Sequence, residues 1–533
     1  MLSSSIFFLF INSTLARLQT FYYHSMAYRF YLMLKESFET SFSLRIFTRI
    51  EAVLKRASKT SAIWGVLSRP SALTAMWENS LFCRMLNLPG KLFAALYSKV
   101  AGVFEKSVVY RILSAFFDRQ ELVIGATIAA IVSVPDHMWY NMYALILTTA
   151  LLLLHLIKVS AKVAGLSGFR RMDFPLFAFF FALILSALTS VLLAPSLNAA
   201  VLYTVNFLLA LIIIDTLLTK DAIIDFSVML AFAAVAMGLY GIYQWKIVGV
   251  FLDTAFVDTR LYSDMQGRIF ATMGNPNIFA EALLLTVPFL FSAFFNAETI
   301  GKKAFYLCMS LPPMLCLYLT GSRSAWGAFA VACVAYLFLV DRRLVPFGFL
   351  LGISALPLLP IFVPSFYNRL ITAFNTNDTS RVYREYIFTQ ATYMLKDYWS
   401  CGVGLGIDAF RSVFLNYVNI YYKNVIHTHN SYMQLWLESG ISALAFFVWA
   451  VLRQFKTILR VVFDGGDQGL GVDAALKIKN QKLRNVSASA AMSLVGIIAM
   501  GFFDNIWFYN RITMLIFVVF ALIIAIGHTE TAA

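Results

Sequence analysis

The sequence predicts an all-α, polytopic membrane protein of about twelve transmembrane helices, with one large extracytoplasmic loop and a basic amphipathic N-terminal region. Two observations carry that fold class. The chain of 533 residues is 60% hydrophobic and only 13% charged, whereas a soluble domain carries roughly a quarter charged residues. Apolar runs of about 20 residues, enough to cross a bilayer, recur from Glu121 to the C-terminus. Five cysteines (Cys83, Cys308, Cys316, Cys333 and Cys401) show neither zinc-ligand spacing nor a disulfide framework. No cleavable leader is expected, because the apolar run 6–11 is short and no basic segment precedes it.

The first region, 1–120, holds 15 Lys/Arg against 6 Asp/Glu, so +9 of the formal +14 lies there. Phe42, Ile46, Ile50 and Leu54 recur at helical spacing, and Arg45, Arg49 and Arg56 share another face. That pattern predicts basic amphipathic helix on an anionic inner leaflet, cytoplasmic and apposed to membrane lipids. Ser-x-x-x-Arg recurs irregularly at Ser25/Arg29, Ser41/Arg45, Ser80/Arg84 and Ser107/Arg111. Chance in a biased segment and a true repeat account for it equally.

In the second region, 121–533, spans are predicted near 121–135, 138–157, 174–194, 198–218, 223–244 and 276–295. Six more fall near 304–320, 324–340, 344–364, 431–452, 485–503 and 511–527. Long connections remain at 245–275 and 365–430. Basic residues alternate between connections. Lys158, Lys162, Arg170, Arg171, Lys220, Lys302, Lys303, Arg342, Arg343 and the group from Arg453 to Arg484 fall on one side. The positive-inside rule makes that side, and the N-terminus, cytoplasmic. The loop 365–430 is then external.

This topology isolates the charged groups at the outer face, where charge near hydrocarbon is costly without a role or a partner. Arg268 stands in Gly267-Arg268-Ile269-Phe270, before Gly274-Asn275-Pro276-Asn277. Proline is natural at a helix start, so a capped helix with an interfacial arginine fits this stretch equally well. Arg323 lies in the tight turn Thr320-Gly321-Ser322-Arg323-Ser324. It could snorkel to headgroups, or its planar, permanently charged fork could hold a diphosphate. His427-Thr428-His429-Asn430 closes the large loop, and Ser431, Gln434, Glu438 and Ser442 continue as a polar stripe. Such a stripe should face a protein or water-filled interior, either as a site or as a structural network. A His-x-His pair could bind metal, but no acidic cluster stands near it in sequence, so no metal is expected. The loop also holds Ser380-Arg381-Val382-Tyr383-Arg384, with Arg381 and Arg384 as phosphate contacts. Its Gly402-x-Gly404-x-Gly406 run has the wrong interval for a dinucleotide fingerprint and reads as a tight turn. No phosphate-binding loop or Asp-x-Asp occurs, which speaks against ATP chemistry and a metal-bound nucleotide sugar.

These clusters, in this order, resemble the O-antigen ligase/polymerase superfamily of bacterial envelope glycosyltransferases, over roughly residues 200–527. The resemblance rests on 268–277, Ser322-Arg323, the Gly-x-Gly turn, and His429-Asn430 with Gly440 eleven residues after the histidine. Ala443 stands where the ligase pattern has Gly, Thr or Tyr, and region 1–120 is not part of the family pattern, which leaves ligase and polymerase both open. The resemblance implies a multi-pass protein of the bacterial cytoplasmic membrane that uses no cofactor. Its donor would be a glycan on undecaprenyl diphosphate, its acceptor a glycan or lipid-glycan hydroxyl, with polysaccharide assembly proteins and no nucleic acid as further partners. His429 would then act as general base, because a neutral imidazole can accept the acceptor's proton. Arg323 and Arg268 would hold the diphosphate, with Arg381, Arg384, His427 and Asn430 as further substrate contacts. A single displacement would invert the anomeric centre without metal. The competing classes are a lipid-linked oligosaccharide flippase or exporter and an inactive assembly scaffold. Transporters tend to place charge near the midplane on interrupted helices in paired halves. Asp215 and Glu281 are the main intramembrane carboxylates outside the stripe.

Overall fold

The computed structural model describes residues 79–161, 172–249, 267–342, 344–371, 379–419, 425–463 and 474–531, with scattered positions between 13 and 56. Its described elements are all helical. They are α1 (Leu81–Leu86), α2 (Leu88–Phe104), α3 (Val108–Ser114), α4 (Gln120–Ser133), α5 (Asn141–Ala161), α6 (Phe174–Leu188), α7 (Leu193–Thr216) and α8 (Lys220–Tyr243). Then come α9 (Pro276–Thr286), α10 (Pro288–Asn296), α11 (Ile300–Leu319), α12 (Arg323–Asp341), α13 (Leu344–Ala355), α14 (Leu359–Phe362) and α15 (Pro364–Ile371). The chain closes with α16 (Thr379–Tyr398), α17 (Ile407–Phe414), α18 (Ser431–Phe463), α19 (Ala474–Gly501) and α20 (Asn510–Thr531). Short 3₁₀ or π turns interrupt this series.

Each predicted span overlaps helix, and among the described residues eight helices are long and apolar enough to cross a membrane. Of the remaining four, α4, α6 and α13 are too short by that measure. The fourth, α11, carries Lys302 and Lys303 in its first turn and Pro312 and Pro313 inside it. The innermost elements are α9–α10 and α20, whose apolar windows are each 83% buried. Around them α12 packs on α19, α8 on α4 and α11, α6 on α18, and α7 on α20.

Charges expected on one side of the membrane meet at one end of the bundle. Arg119 bonds Asp225 at 2.8 Å, Lys479 bonds Asp221 at 2.7 Å and Lys482 bonds Glu298 at 2.6 Å. Lys220 reaches Asn480 at 2.6 Å. In the same half of α5 and α7, buried His155 Nε2 meets Asp215 Oδ2 at 2.8 Å. At the opposite end Arg511, wholly buried, donates to the carbonyls of Ile131, Val134 and Thr272, and stands 3.4 Å from Asp136.

One helix departs from its expected form. α18 breaks at Gly440, whose φ of 77° is left-handed, a region that an L side chain enters only with strain. The break frees backbone carbonyls in mid-helix. Val403 N donates to Leu437 O and Gly404 N to Glu438 O, both at 2.9 Å. Gly402 and Gly440 lie back to back: a Cβ on the first would strike Glu438 O, and on the second Ser400 O. The spacing that placed a glycine eleven residues after His429 thus marks where the 379–419 segment docks into a broken helix. The break also corrects the predicted polar stripe. Ser431, Gln434 and Glu438 are buried as expected, but Ser442 is exposed, because it lies beyond the turn and the helical register does not carry through.

Candidate active site

Three starting points of helices converge at the Arg511 end of the bundle. Asn275 caps α9 by accepting from Asn277 N at 2.8 Å, with Pro276 in the first turn. The turn at Gly321, φ 61°, brings the chain into α12 so that Arg323 is its first residue. Asn430 caps α18, its Oδ1 accepting from Tyr432 N at 3.1 Å and Met433 N at 3.0 Å. A helix N-terminus favours negative charge nearby, and three of them frame one locus.

Asp504, in the connection between α19 and α20, links the elements. Its Oδ1 lies 3.4 Å from His429 Nδ1 and 3.9 Å from His427 Nε2. Its Oδ2 accepts from Asn277 Nδ2 at 2.9 Å. Asn277 Oδ1 in turn accepts from Arg268 Nη2 at 2.7 Å, and Arg268 Nε donates to Thr320 O at 2.6 Å. One chain of contacts therefore runs from the histidine pair to an arginine. His429 is held at φ 53°, a strained conformation for a residue with a Cβ, of a kind that clusters at functional sites. Its backbone N–H donates to His427 Nδ1 at 3.2 Å, and the ring of Tyr383 packs edge-on against its imidazole.

The electrostatics follow from crowding. Burial, then repulsion from His429, pushes His427 down to about 3, so it is neutral at physiological pH. Burial alone would raise Asp504, but the contact with His429 and the nearby His427 and Arg384 hold it well below the usual carboxylate range. Arg268 is pushed down to about 9 by burial and by its neighbours Arg369, Arg384 and Arg323, with Asp504 opposing. The guanidinium groups of Arg369, Arg384 and Arg323 each repel that of Arg268. An anionic ligand among them would relieve that repulsion.

Beside the cluster lies a cavity of about 600 Å³. Arg323, Arg381, Arg384 and Glu385 line its polar part, and Gly327, Ala328 and Val331 of α12 with Ala499 and Phe503 line its apolar part. Arg381 is exposed and pairs with Glu385 at 2.8 Å.

All seven sequence-predicted residues belong to this locus, in different standing. Arg268, His427 and His429 join through Asp504, and Arg384 acts electrostatically on the same group. Arg323 and Arg381 line the cavity, and Asn430 is engaged in capping α18. Sequence reasoning missed Asp504, the bridging part of Asn277, and Arg369, which donates to Gly321 O at 2.7 Å. Asp504 was visible as a carboxylate in the short connection before the last apolar run, and Arg369 as one more arginine of the long connection 365–430. One ring nitrogen each of His427 and His429 and an Asp504 oxygen lie within 4.8 Å of one another, near enough for a cation in the absence of other charges. The arginines around them set the local field against that use.

No curated protein matches the chain. A family model described as O-Antigen ligase matches residues 305–448, which runs from within α11 through α12 and the long connection to the first half of α18. Arg323, Arg381, Arg384, His427, His429 and Asn430 fall inside that range, whereas Arg268, Asn277 and Asp504 fall outside it and complete the cluster from flanking elements. Over residues 305–448 this membrane chain is therefore similar to the O-antigen ligase family, and that similarity supports the O-antigen ligase/polymerase superfamily.

Proposed function

We propose that the protein transfers or polymerises a glycan from an undecaprenyl-diphosphate donor to an acceptor hydroxyl at the outer face of a bacterial cytoplasmic membrane. The similarity to the O-antigen ligase family supports a membrane glycan ligase or polymerase role with lipid-linked glycan substrates. The observation that carries the finer reading is the continuous linkage from His429 through Asp504 and Asn277 to Arg268. It joins an imidazole to a guanidinium beside a cavity with polar and apolar walls, which supports a proton acceptor working alongside an anion holder. A diphosphate suits the arginine wall, and the first isoprene units suit Gly327, Ala328 and Val331.

The chemistry needs two things at once. The acceptor O–H loses its proton to the imidazole as its oxygen attacks the anomeric carbon. The bond from that carbon to phosphate oxygen breaks, and the diphosphate departs with the electron pair. Asp504 beside Nδ1 favours the tautomer with hydrogen on that nitrogen and leaves Nε2 free to accept. It also stabilises the imidazolium that results. Arg268, Arg323 and Arg384 meet the charge that develops on the leaving group. One displacement at the anomeric carbon inverts its configuration. The arginines supply the positive charge that a metal ion would otherwise provide.

Purified protein incubated with undecaprenyl-diphosphate oligosaccharide and candidate acceptors should yield a lengthened or conjugated glycan by mass spectrometry, with inverted anomeric linkage by NMR. Donor that binds and returns unchanged with every acceptor would contradict transfer.

A further inference from the structure

The Ser-x-x-x-Arg pattern has a physical meaning in the described residues. In three copies the arginine N–H donates to the serine carbonyl at 3.2 Å: Arg29 to Ser25, Arg84 to Ser80 and Arg111 to Ser107. Ser80 Oγ also accepts from Cys83 N at 3.0 Å, and Ser107 Oγ from Tyr110 N at 3.1 Å. These are helix N-caps. Ser41, Phe42 and Leu54, which belong to the fourth copy and its amphipathic pattern, lie outside the described residues. The repeat therefore starts short helices.

Those helices turn apolar side chains outward. On α2, Leu88, Leu92, Leu96 and Val100 follow at four-residue steps, with Val103 on the same face, and all are exposed. Gly90 and Tyr97 are buried on the opposite side, where α2 packs against α5. Leu81 and Met85 of α1, and Val108, Val109 and Ile112 of α3, are exposed too, while Cys83 joins the main core. Arg84, Lys91, Lys99, Lys106 and Arg111 are exposed among them. α3 leads directly to Arg119 and α4, at the end of the bundle that carries the Arg119–Asp225 pair and lies away from His429.

We infer that residues 80–112 form a collar seated in an anionic phospholipid leaflet, its apolar stripe among acyl chains and its cations at the phosphates. α2 rises about 1.5 Å per residue, and the chain does not include it among its membrane-length apolar helices. A helix with an apolar face and flanking lysines lies in the interface. Charge decides against a second copy as the occupant: with five Lys/Arg against one Glu over residues 80–112, two such faces would repel, whereas each cation near an anionic surface gains roughly fivefold in association.

The test uses the full chain in nanodiscs, with Cys308 and Cys401 replaced and nitroxide labels at Leu92→Cys and Leu96→Cys. In bilayers rich in phosphatidylglycerol the labels should relax more with oxygen than with a nickel chelate, as buried probes do. A variant with Lys91, Lys99, Lys106 and Arg111 each changed to Gln should lose that preference, and so should wild type in phosphatidylcholine. Thermal unfolding of each protein checks that the bundle is intact. Labels that favour nickel in the anionic bilayer would overturn the proposal. So would equal burial in both lipids, or dipolar coupling between labels on two chains.

Discussion

Asp504 Oδ1 lies 3.4 Å from His429 Nδ1, joining the connection between α19 and α20 to the residues that lead into α18. The same carboxylate accepts from Asn277 at 2.9 Å, so His429 is oriented relative to α9 and not only to its own loop. Asp504→Asn would keep the shape and remove the charge that favours one tautomer and the imidazolium. Turnover should fall by about 10²-fold or more, within the range that general-base catalysis contributes, while donor affinity changes little. Single-turnover transfer and donor binding measure the two separately. Equal loss in both would assign Asp504 to ligand binding.

Arg268 gives an alkaline signature. Its guanidinium is pushed down to about 9 by burial and neighbouring arginines, so its charge is lost as pH rises through that value. Donor affinity should decline on that limb, and Arg268→Gln should bind weakly at all pH values, with no limb of its own. Donor binding titrated from pH 7 to 10.5 reads both. A limb that persists in Arg268→Gln would belong to another group.

His427 gives an acid signature in stability. Its folded value, about 3, lies below the ordinary 6.5, so between those values the unfolded chain binds the proton and the folded chain does not. Stability therefore falls as pH drops from 6.5 toward 3. Asp504 is shifted down from 3.8, so its contribution is present above that value and is lost only as pH falls further. His427→Gln should flatten the loss between pH 6.5 and 4 and leave the lower limb. Denaturation midpoints across that range, in one detergent at constant ionic strength, would show it.

Gly440 should be more sensitive than its position inside an apolar span suggests. A side chain there meets Ser400 O and a left-handed backbone, a conformational penalty alone of about 1–3 kcal/mol. Gly440→Ala should therefore lower the unfolding midpoint. It should also speed amide exchange at Val403 and Gly404, whose N–H groups bond the carbonyls freed by the break. Gln434 Nε2 donates to Glu438 Oε1 at 2.7 Å, and Gln434 Oε1 accepts from Thr428 N at 2.9 Å. Through that strut, loosening at Gly440 should lower transfer as well.

The apolar helices and the arginine and histidine clusters were legible because each follows from local physics. Hydrophobic length marks a helix such as Asn510–Thr531 whatever it packs against. A cation such as Arg323 stands out in a short turn between two apolar helices. What stayed hidden depends on contacts remote in sequence. Asp504 gains its meaning only when α19 and α20 bring it to His429. The stripe through Ser431, Gln434 and Glu438 was extended to Ser442 because periodicity assumes an unbroken helix, and Gly440 breaks it. The Ser-x-x-x-Arg pattern was ambiguous for the same reason: a cap is recognised by its hydrogen bond, as at Ser80 and Ser107.

The central claim is that His429 removes the acceptor's proton while the arginines hold the donor. His429→Ala and Arg323→Ala, each shown to be folded and inserted, should be compared in single-turnover transfer from undecaprenyl-diphosphate oligosaccharide, with donor affinity measured alongside. The account predicts that His429→Ala loses about 10²- to 10⁴-fold in transfer with donor affinity retained, and that Arg323→Ala loses both. Arg323→Lys should recover only part, because an ammonium keeps the charge without the bidentate fork. Transfer by His429→Ala at the parental rate would contradict the account.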